Sequence, residues 1–214
     1  MNAANTLKKL GIEKTFEYIY KDPDKNMPKI MDWADKFADG EFPTQREMIR
    51  EAITNPEHPY YDFIRHLIND VDPKVTKTLA VNFFINSALV GWKKEEELRK
   101  KYNCNIPWAI LLDPTSACNL HCTGCWAAEY GHKLNLTYDE IDDIICQGKK
   151  LGVYLYIYTG GEPLVRKKDL IRLCEKHSDC VFLCFTNATL IDEEFADEML
   201  RVGNFVPAIS LEGF

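Results

Sequence analysis

Residues 108–126 read WAILLDPTSACNLHCTGCW, a short apolar run that leads directly into a loop with three cysteines. The segment 108–115 is apolar and ends in turn residues, which predicts a buried strand. A strand followed at once by clustered thiols places potential ligands at the strand's carboxyl end. In folds with parallel strands, binding sites gather at that end.

The chain alternates between strand and helix patterns from residue 108 onward. Strands are predicted at 108–115, 153–159, 181–187 and 206–214, and helices between them at 138–152, 167–177 and 192–203. Thr137 and Glu140 predict a capping box at the start of the first of these helices. This order predicts a parallel sheet with right-handed crossovers, and the near-continuous apolar strands predict that both sheet faces are covered. Four β/α strands make about half of an eight-stranded barrel.

The first hundred residues have helical rather than strand patterns, so we divide the chain into a helical region, 1–105, and an α/β region, 106–214. The most apolar run, residues 79–92, predicts a buried helix that ends at Gly91. An interfacial membrane helix is the less favoured alternative. A spanning helix needs roughly 20 apolar residues, and this run contains two asparagines.

Composition narrows the class of protein. The chain has 214 residues, 46% of them hydrophobic, and a formal net charge of −7. An acidic chain of this kind is not expected to bind nucleic acid, and a membrane partner is not expected either. The N-terminus lacks a signal-peptide core, so we expect a cytoplasmic protein whose eight cysteines do not form a disulfide framework.

The predicted final strand reaches Phe214 with no helix after it, which leaves an open apolar edge. We therefore expect the chain to be a piece of a longer protein.

The cysteine loop carries the strongest chemical signal. Cys118, Cys122 and Cys125 have the spacing C-x3-C-x2-C, which is too tight to join all three in disulfides and favours a metal. Three thiolates fit three corners of a four-iron cluster and leave the fourth iron open. The alternative is a zinc site completed by a neighbouring side chain: His121, His132 or Cys104.

Polar groups follow the other predicted strands as well. Gly160 and Gly161 allow close backbone approach, and Glu162 offers a carboxylate for a cationic amine. Later strand ends carry further polar side chains: Thr186, Asn187, Ser210 and Glu212. The remaining cysteines are predicted to be small apolar core residues: Cys146, Cys174, Cys180 and Cys184.

The cysteine loop after the first strand, with TGGEP (159–163) after the second, resembles the radical SAM superfamily. Together with FTNAT (185–189) and ISLEG (209–213), these motifs are similar to the members that modify peptides and cofactors or mature other enzymes. The resemblance covers residues 106–214. It implies a partial (β/α) barrel, truncated here after the fourth strand.

The resemblance also implies cofactors and residue roles. Cys118, Cys122 and Cys125 would hold a [4Fe-4S] cluster, and S-adenosylmethionine would chelate its fourth iron. Glu162, with the backbone at Gly160 and Gly161, would bind the amino group of that cofactor. Asn187 and Ser210 would lie near its ribose and carboxylate, and the backbone of Gly124 would contact adenine. Many family members carry an aromatic residue at the position of Gly124; in this chain Trp126 follows the third cysteine instead.

The implied activity is reductive cleavage of S-adenosylmethionine to a 5′-deoxyadenosyl radical, which abstracts hydrogen from an unidentified peptide, protein or small molecule. A low-potential donor such as flavodoxin or ferredoxin would supply the electron. Cores of the family have more β/α units than the four predicted here, so we expect this chain to bind a cluster, to bind S-adenosylmethionine less well than a complete core, and not to turn over. The alternative function is a non-catalytic iron–sulfur or zinc-binding module.

Overall fold

The computed structural model describes residues 11, 14–37, 43–125, 127, 131 and 133–211. The chain divides into two compact units, Met1–Lys77 and Thr78–Phe214. The helical residues 78–102 therefore group with the second unit. The domain boundary that the sequence predicts between residues 105 and 106 stays a prediction.

The first unit is helical in all of its described elements: α1 (Pro23–Phe37), α2 (Pro43–Thr54), α3 (Tyr61–Asn69), and residues 14–21. Helix α1 packs on α2, and α2 on α3. Its small core consists of buried apolar side chains: Ile19, Met27, Met31, Ile53 and Ile68. The prediction of a helical region before the α/β fold is confirmed.

Helical chain that begins before Thr78 continues into the second unit and does not stop at Gly91. Helix α4 (Pro73–Ala80) leads into a π-helical segment (Val81–Gly91), and α5 (Trp92–Tyr102) follows without a break. The predicted helix end at Gly91 is therefore wrong. Glycine is needed there for packing, because a Cβ at Gly91 would lie 2.3 Å from the carbonyl oxygen of Gly152.

The predicted helix at 79–92 exists, but its most apolar side chains are not the ones that are buried. Asn82 and Asn86 are buried, while Phe83 and Phe84 are 38% and 49% exposed. The amide of Asn82 donates to the carbonyls of Ser178 and Cys180, and Asn86 donates to that of Asp179, all at 2.9 Å. The asparagines go inside because they satisfy carbonyl groups of the turn before a strand. Across the described residues, we find no helix with the length and apolar character to cross a bilayer.

The predicted parallel sheet is confirmed. Its strands are β1 (Ala109–Thr115), β2 (Leu155–Gly160), β3 (Val181–Thr186) and β4 (Phe205–Ile209), paired in that order and all parallel. The crossovers contain α6 (Tyr138–Leu151), a 3₁₀ turn (Pro163–Arg166) with α7 (Lys167–Lys176), and α8 (Glu193–Val202). This is the β/α order of a partial barrel.

The helices cover one face of the sheet. Tyr156, Tyr158 and Phe182 are fully buried, with Phe182 stacked on the tyrosine rings at centroid distances of 5.7 Å and 5.6 Å. Leu111 and Phe185, on the other face, are 61% and 46% exposed. The expectation that both faces are covered therefore fails within the described residues. Right-handed crossovers put every helix on one side, and the inner face of a barrel is covered only by closure of the barrel.

Asn204 provides a test of how the helical layer is tied to the sheet. Its buried amide nitrogen donates to the carbonyls of Cys174, His177 and Cys180 at 3.0, 3.2 and 3.2 Å. Asn204→Ala should lower the free energy of unfolding by about 1–3 kcal/mol, because buried acceptors lose their donor. Denaturant unfolding followed by circular dichroism measures this. Asn105→Ala, at an exposed position, is the control and should stay within about 0.5 kcal/mol of the parent.

Candidate functional site

The candidate site lies where β1, β2 and β3 end, and its first feature is a tight junction between two loops. The backbone N–H of Gly161 donates to the carbonyl of Thr115 at 3.0 Å, and that of Glu162 donates to Ala117 at 2.8 Å. The hydroxyl of Thr115 also accepts from the N–H of Ala117 at 3.0 Å. The start of the cysteine loop is thereby fastened to the turn after β2.

Both glycines of this turn are required by that junction. A Cβ on Gly161 would lie 2.2 Å from the carbonyl oxygen of Ala117. One on Gly160 would lie 2.7 Å from that of Thr115, and its φ of +106° is a conformation that favours glycine. The close approach expected of these glycines is seen here toward the backbone of the cysteine loop.

The three loop cysteines face a common space. Cys118, Cys122 and Cys125 are not joined in disulfides, and all three line one cavity of about 60 Å³, together with Gly161 and His121. Cys118 is partly buried and the other two are exposed. The thiols are thus available to a ligand, and the cavity places them beside the turn after β2.

The distances between the sulfur atoms of the three loop cysteines bear on the kind of metal site that they can form. Four ligands around one zinc ion lie roughly 3.3–3.8 Å apart. Among the described residues, the loop sulfurs do not form a group of three ligand atoms within 4.8 Å of one another, either alone or with His121 or Cys104. His132, the other alternative zinc ligand, lies outside the described residues. A cluster of several irons binds its thiolates through separate iron atoms, so it does not require three ligand atoms this close together.

Glu162 is the most constrained side chain of the site. It is only 1% exposed, and its carboxylate accepts three hydrogen bonds from protein groups. Oε1 accepts from the N–H of Leu164 at 3.0 Å and the hydroxyl of Thr186 at 2.7 Å, and Oε2 accepts from the N–H of Asn187 at 2.8 Å. The carboxylate therefore joins the end of β2 to the end of β3. A carboxylate oxygen has two lone pairs, so one acceptor position on Oε2 is left.

Asn187 is tied to the cysteine loop by a ring of side-chain hydrogen bonds. Its amide nitrogen donates to Asn119 Oδ1 at 3.0 Å, and the amide of Asn119 donates to the hydroxyl of Thr189 at 2.7 Å. The hydroxyl of Thr189 in turn donates to Asn187 Oδ1 at 2.7 Å. Asn119 lies between Cys118 and Cys122, so the end of β3 holds the loop at its centre.

The sequence patterns assigned no role to three residues of this network. Thr186 was predicted only as a polar strand end, and no prediction was attached to Asn119 or Thr189. Thr186 is 3% exposed, and its hydroxyl both donates to Glu162 and accepts from the N–H of Ala188 at 3.0 Å. A signal was present in the sequence, since all three lie within the motifs ACNLHC and FTNAT.

Gly124 and Ser210 occupy more open positions. The φ of Gly124 is +76°, which explains why glycine rather than an aromatic residue stands there. Ser210 follows β4, and its backbone N–H donates to the carbonyl of Thr186 at 2.9 Å. Trp126, which follows the third cysteine, and Glu212, at the predicted end of the fourth strand, lie outside the described residues.

A larger cavity adjoins the cysteine cavity. Its volume is about 520 Å³, and it shares Ser116, Ala127 and Gly161 with the smaller one. Asp113, Asn135 and Gly160 also line it. Small-molecule sites commonly have volumes of about 300–1,000 Å³. The carboxyl edge of the sheet thus offers room for a nucleoside-sized molecule beside the three thiols.

Comparison with known proteins agrees with this geometry. The family model for the Radical SAM superfamily matches residues 112–214. A PqqA peptide cyclase of Bradyrhizobium diazoefficiens is 33% identical over 112 residues, which are 50% of this chain and 29% of that protein. An Fe-coproporphyrin III synthase of Methanosarcina barkeri is 33% identical over 110 residues, 49% of this chain and 27% of that protein.

A shorter match is closer in sequence. A GTP 3',8-cyclase of Alkaliphilus oremlandii is 48% identical over 61 residues, 27% of this chain and 19% of that protein. Among solved structures, Streptococcus suis SuiB bound to S-adenosylmethionine has a TM-score of 0.48 at 21% identity, covering 79% of this chain and 36% of that chain.

The matched segment spans less than one third of each of these three curated relatives. The relatives are named as enzymes, two cyclases and a synthase, and their names specify different compounds: PqqA peptide, GTP and Fe-coproporphyrin III. The family match coincides with the segment that contains the cysteine loop, the glycine turn and the Glu162 network. Residues 112–214 of this chain belong to the radical SAM superfamily, whose members use a [4Fe-4S] cluster and S-adenosylmethionine.

Proposed function

We propose that this chain carries the cofactor-binding part of a radical SAM enzyme. Cys118, Cys122 and Cys125 would hold a [4Fe-4S] cluster. The adjoining cavity at Gly160 and Gly161 would receive S-adenosylmethionine. The observation that carries the proposal is that the three loop cysteines and Gly161 line one cavity that adjoins a nucleoside-sized one.

The residues present fit this cofactor pair. Three thiolates leave one iron of a four-iron cluster without a protein ligand, which is the position that an amino acid's amine and carboxylate can occupy. When bound, the reduced cluster would supply the electron for reductive cleavage of S-adenosylmethionine, which is the chemistry that would lead to hydrogen abstraction from a substrate. The protein's contribution is to position the cofactor and exclude water.

Glu162 would serve this site in two ways. Its carboxylate positions Thr186 and the backbone of Asn187, and its last acceptor position on Oε2 can take a hydrogen bond from a cationic amine. The tight backbone junction at Gly161 keeps this carboxylate close to the cysteine loop. Asn187 and Ser210 stay proposed contacts to the ribose and carboxylate, and Gly124 a proposed backbone contact to adenine.

We propose the substrate and the electron donor by chemical class only. The substrate is a peptide, protein or small molecule, and the relatives' names favour none of these classes over the others. A low-potential carrier such as flavodoxin or ferredoxin would reduce the cluster. The second candidate function is a non-catalytic iron–sulfur or zinc module. Such a module gives the Glu162 network and the larger cavity no ligand-binding role.

Cys122→Ala tests the cluster. After anaerobic reconstitution, the parent should hold about four iron and four sulfide per chain, and the variant should lose most of both, because one corner of the cluster has no ligand. Iron and sulfide analysis measures this. Cys104→Ala removes an exposed thiol outside the cavity and should leave the content unchanged. Stoichiometric zinc in place of iron in the parent would contradict the proposal.

Glu162→Ala tests the cofactor site. The variant should keep its iron but bind S-adenosylmethionine roughly 10- to 100-fold more weakly, because a charged acceptor that also positions Asn187 is lost. Equilibrium binding to the reconstituted protein measures the affinity. An affinity equal to that of the parent would remove Glu162 from the site. The matched control is Glu175→Ala, a change to an exposed carboxylate on α7.

Thr186 should act through Glu162 as a positioning residue. Thr186→Val removes the hydroxyl donor to Oε1 and should weaken S-adenosylmethionine binding by about tenfold at unchanged iron content. Thr186→Ser keeps the hydroxyl and should restore most of the affinity. A purely structural role predicts instead that Thr186→Val loses stability and iron along with affinity, which thermal unfolding and iron analysis would reveal.

A further inference from the structure

A second group of metal-ligating side chains lies in the helical layer, away from the site described above. Asp142 and Cys146 are one helical turn apart on α6, and His177 follows the last residue of α7. Their ligand atoms all lie within 4.8 Å of one another, and this is the one such group of three found in the described part of the chain. It combines a carboxylate, a thiol and an imidazole from two different crossovers.

The backbone holds these three side chains in place. On α6, the capping box between Thr137 and Glu140 fixes the first turn, with bonds of 2.7 and 3.2 Å, and residues four apart share a face. At the end of α7, the N–H of His177 donates to Leu173 at 2.8 Å, and its carbonyl accepts from the N–H of Cys180 at 2.9 Å. The imidazole is therefore presented to α6 from an ordered turn.

The protonation states suit metal binding. Burial lowers the pKa of His177 below its ordinary value, despite the hydrogen bond to Asp142, which favours the neutral ring. Burial acts to raise the pKa of Asp142, but hydrogen bonds from Lys176 and His177 outweigh it and hold the pKa below its ordinary value. A neutral imidazole and an ionised carboxylate are the forms that bind metals.

We propose that Asp142, Cys146 and His177 form a binding site for a divalent transition-metal ion of the zinc type. The mixed oxygen, sulfur and nitrogen set is one that zinc accepts in tetrahedral sites, and a water molecule would complete the coordination. Binding releases the thiol proton of Cys146 to solvent. The site would join α6 to α7 and thereby brace the outer layer of the partial barrel.

Asp142 can bind through one oxygen and keep its other partner. Its Oδ1 lies 2.9 Å from His177 Nε2, while its Oδ2 accepts from the exposed ammonium of Lys176 at 2.8 Å. An ion would replace the Oδ1 hydrogen bond, and Lys176 would stay as an outer partner that orients the carboxylate. The ligand atoms need to come to roughly 3.3–3.8 Å of one another, a movement within reach of side-chain rotation at Asp142 and Cys146.

The competing explanation is that Asp142 and His177 form only a hydrogen bond between two helices, with Cys146 beside it by chance. The two explanations differ in what they require of the thiol. A hydrogen bond between Asp142 and His177 needs no thiol at position 146, whereas the metal site depends on it. Cys146 is partly exposed, so changing it to serine is a mild substitution.

Cobalt binding tests the site directly. The full chain is prepared with the substitutions Cys118→Ser, Cys122→Ser and Cys125→Ser, which remove the loop thiols. This variant, the loop-serine chain, is titrated with Co²⁺. We expect one ion per chain with the sulfur-to-cobalt absorption of a thiolate ligand. Adding Cys146→Ser should abolish that absorption, whereas Cys104→Ser should not change it. No cobalt absorption, or absorption that survives Cys146→Ser, overturns the proposal.

Thermal unfolding with Zn²⁺ gives a second, independent measurement. At about 100 times the dissociation constant, zinc should raise the melting temperature of the same loop-serine chain by roughly 5 °C. The Cys146→Ser and Asp142→Asn variants should show no such rise, although both should fold. An equal rise in the parent and the Cys146→Ser variant would overturn the site. Neither experiment depends on the proposed radical SAM function, since the loop thiols are absent from both.

Discussion

The candidate site depends on one close backbone contact, in which Gly161 lies against Ala117 with no space for a side chain. Two backbone hydrogen bonds accompany that contact and fasten the start of the cysteine loop to the turn after β2. The loop is also held by the hydrogen-bond ring of Asn119, Asn187 and Thr189, although two of its three cysteines are exposed. The glycine pair is therefore first a structural requirement for the loop, and only then a surface for a ligand.

Glu162 extends this arrangement to the third strand. A buried carboxylate is costly unless its oxygens are hydrogen-bonded, and here three protein donors satisfy it. Through Asn187 and Asn119, the same network returns to the cysteine loop. Three strand ends thus share one connected set of hydrogen bonds, which links Thr186 to the cysteine loop through Glu162 and Asn187.

The sheet itself is built asymmetrically. Its helix-facing side has a stacked aromatic core, while Leu111 and Phe185 are exposed on the other side. At the amino ends of the strands, Asn82 and Asn86 bind the carbonyls before β3 and bring the π-helical segment into the second unit. The proposed metal site adds a further connection, between α6 and α7, on the outer surface of the same core.

The sequence by itself determined the strand and helix order, the parallel sheet and the cysteine triad, because these follow from local periodicity and from side chains close together in the chain. Tertiary structure alone decided three other features. It placed asparagines rather than phenylalanines inside at residues 79–92, since only packing shows which carbonyls need donors. It gave Thr186 and Asn119 their roles, since hydrogen bonds between different strand ends leave no periodic signal. It brought His177 to Asp142 and Cys146 across roughly thirty residues of chain, a separation that no local pattern spans.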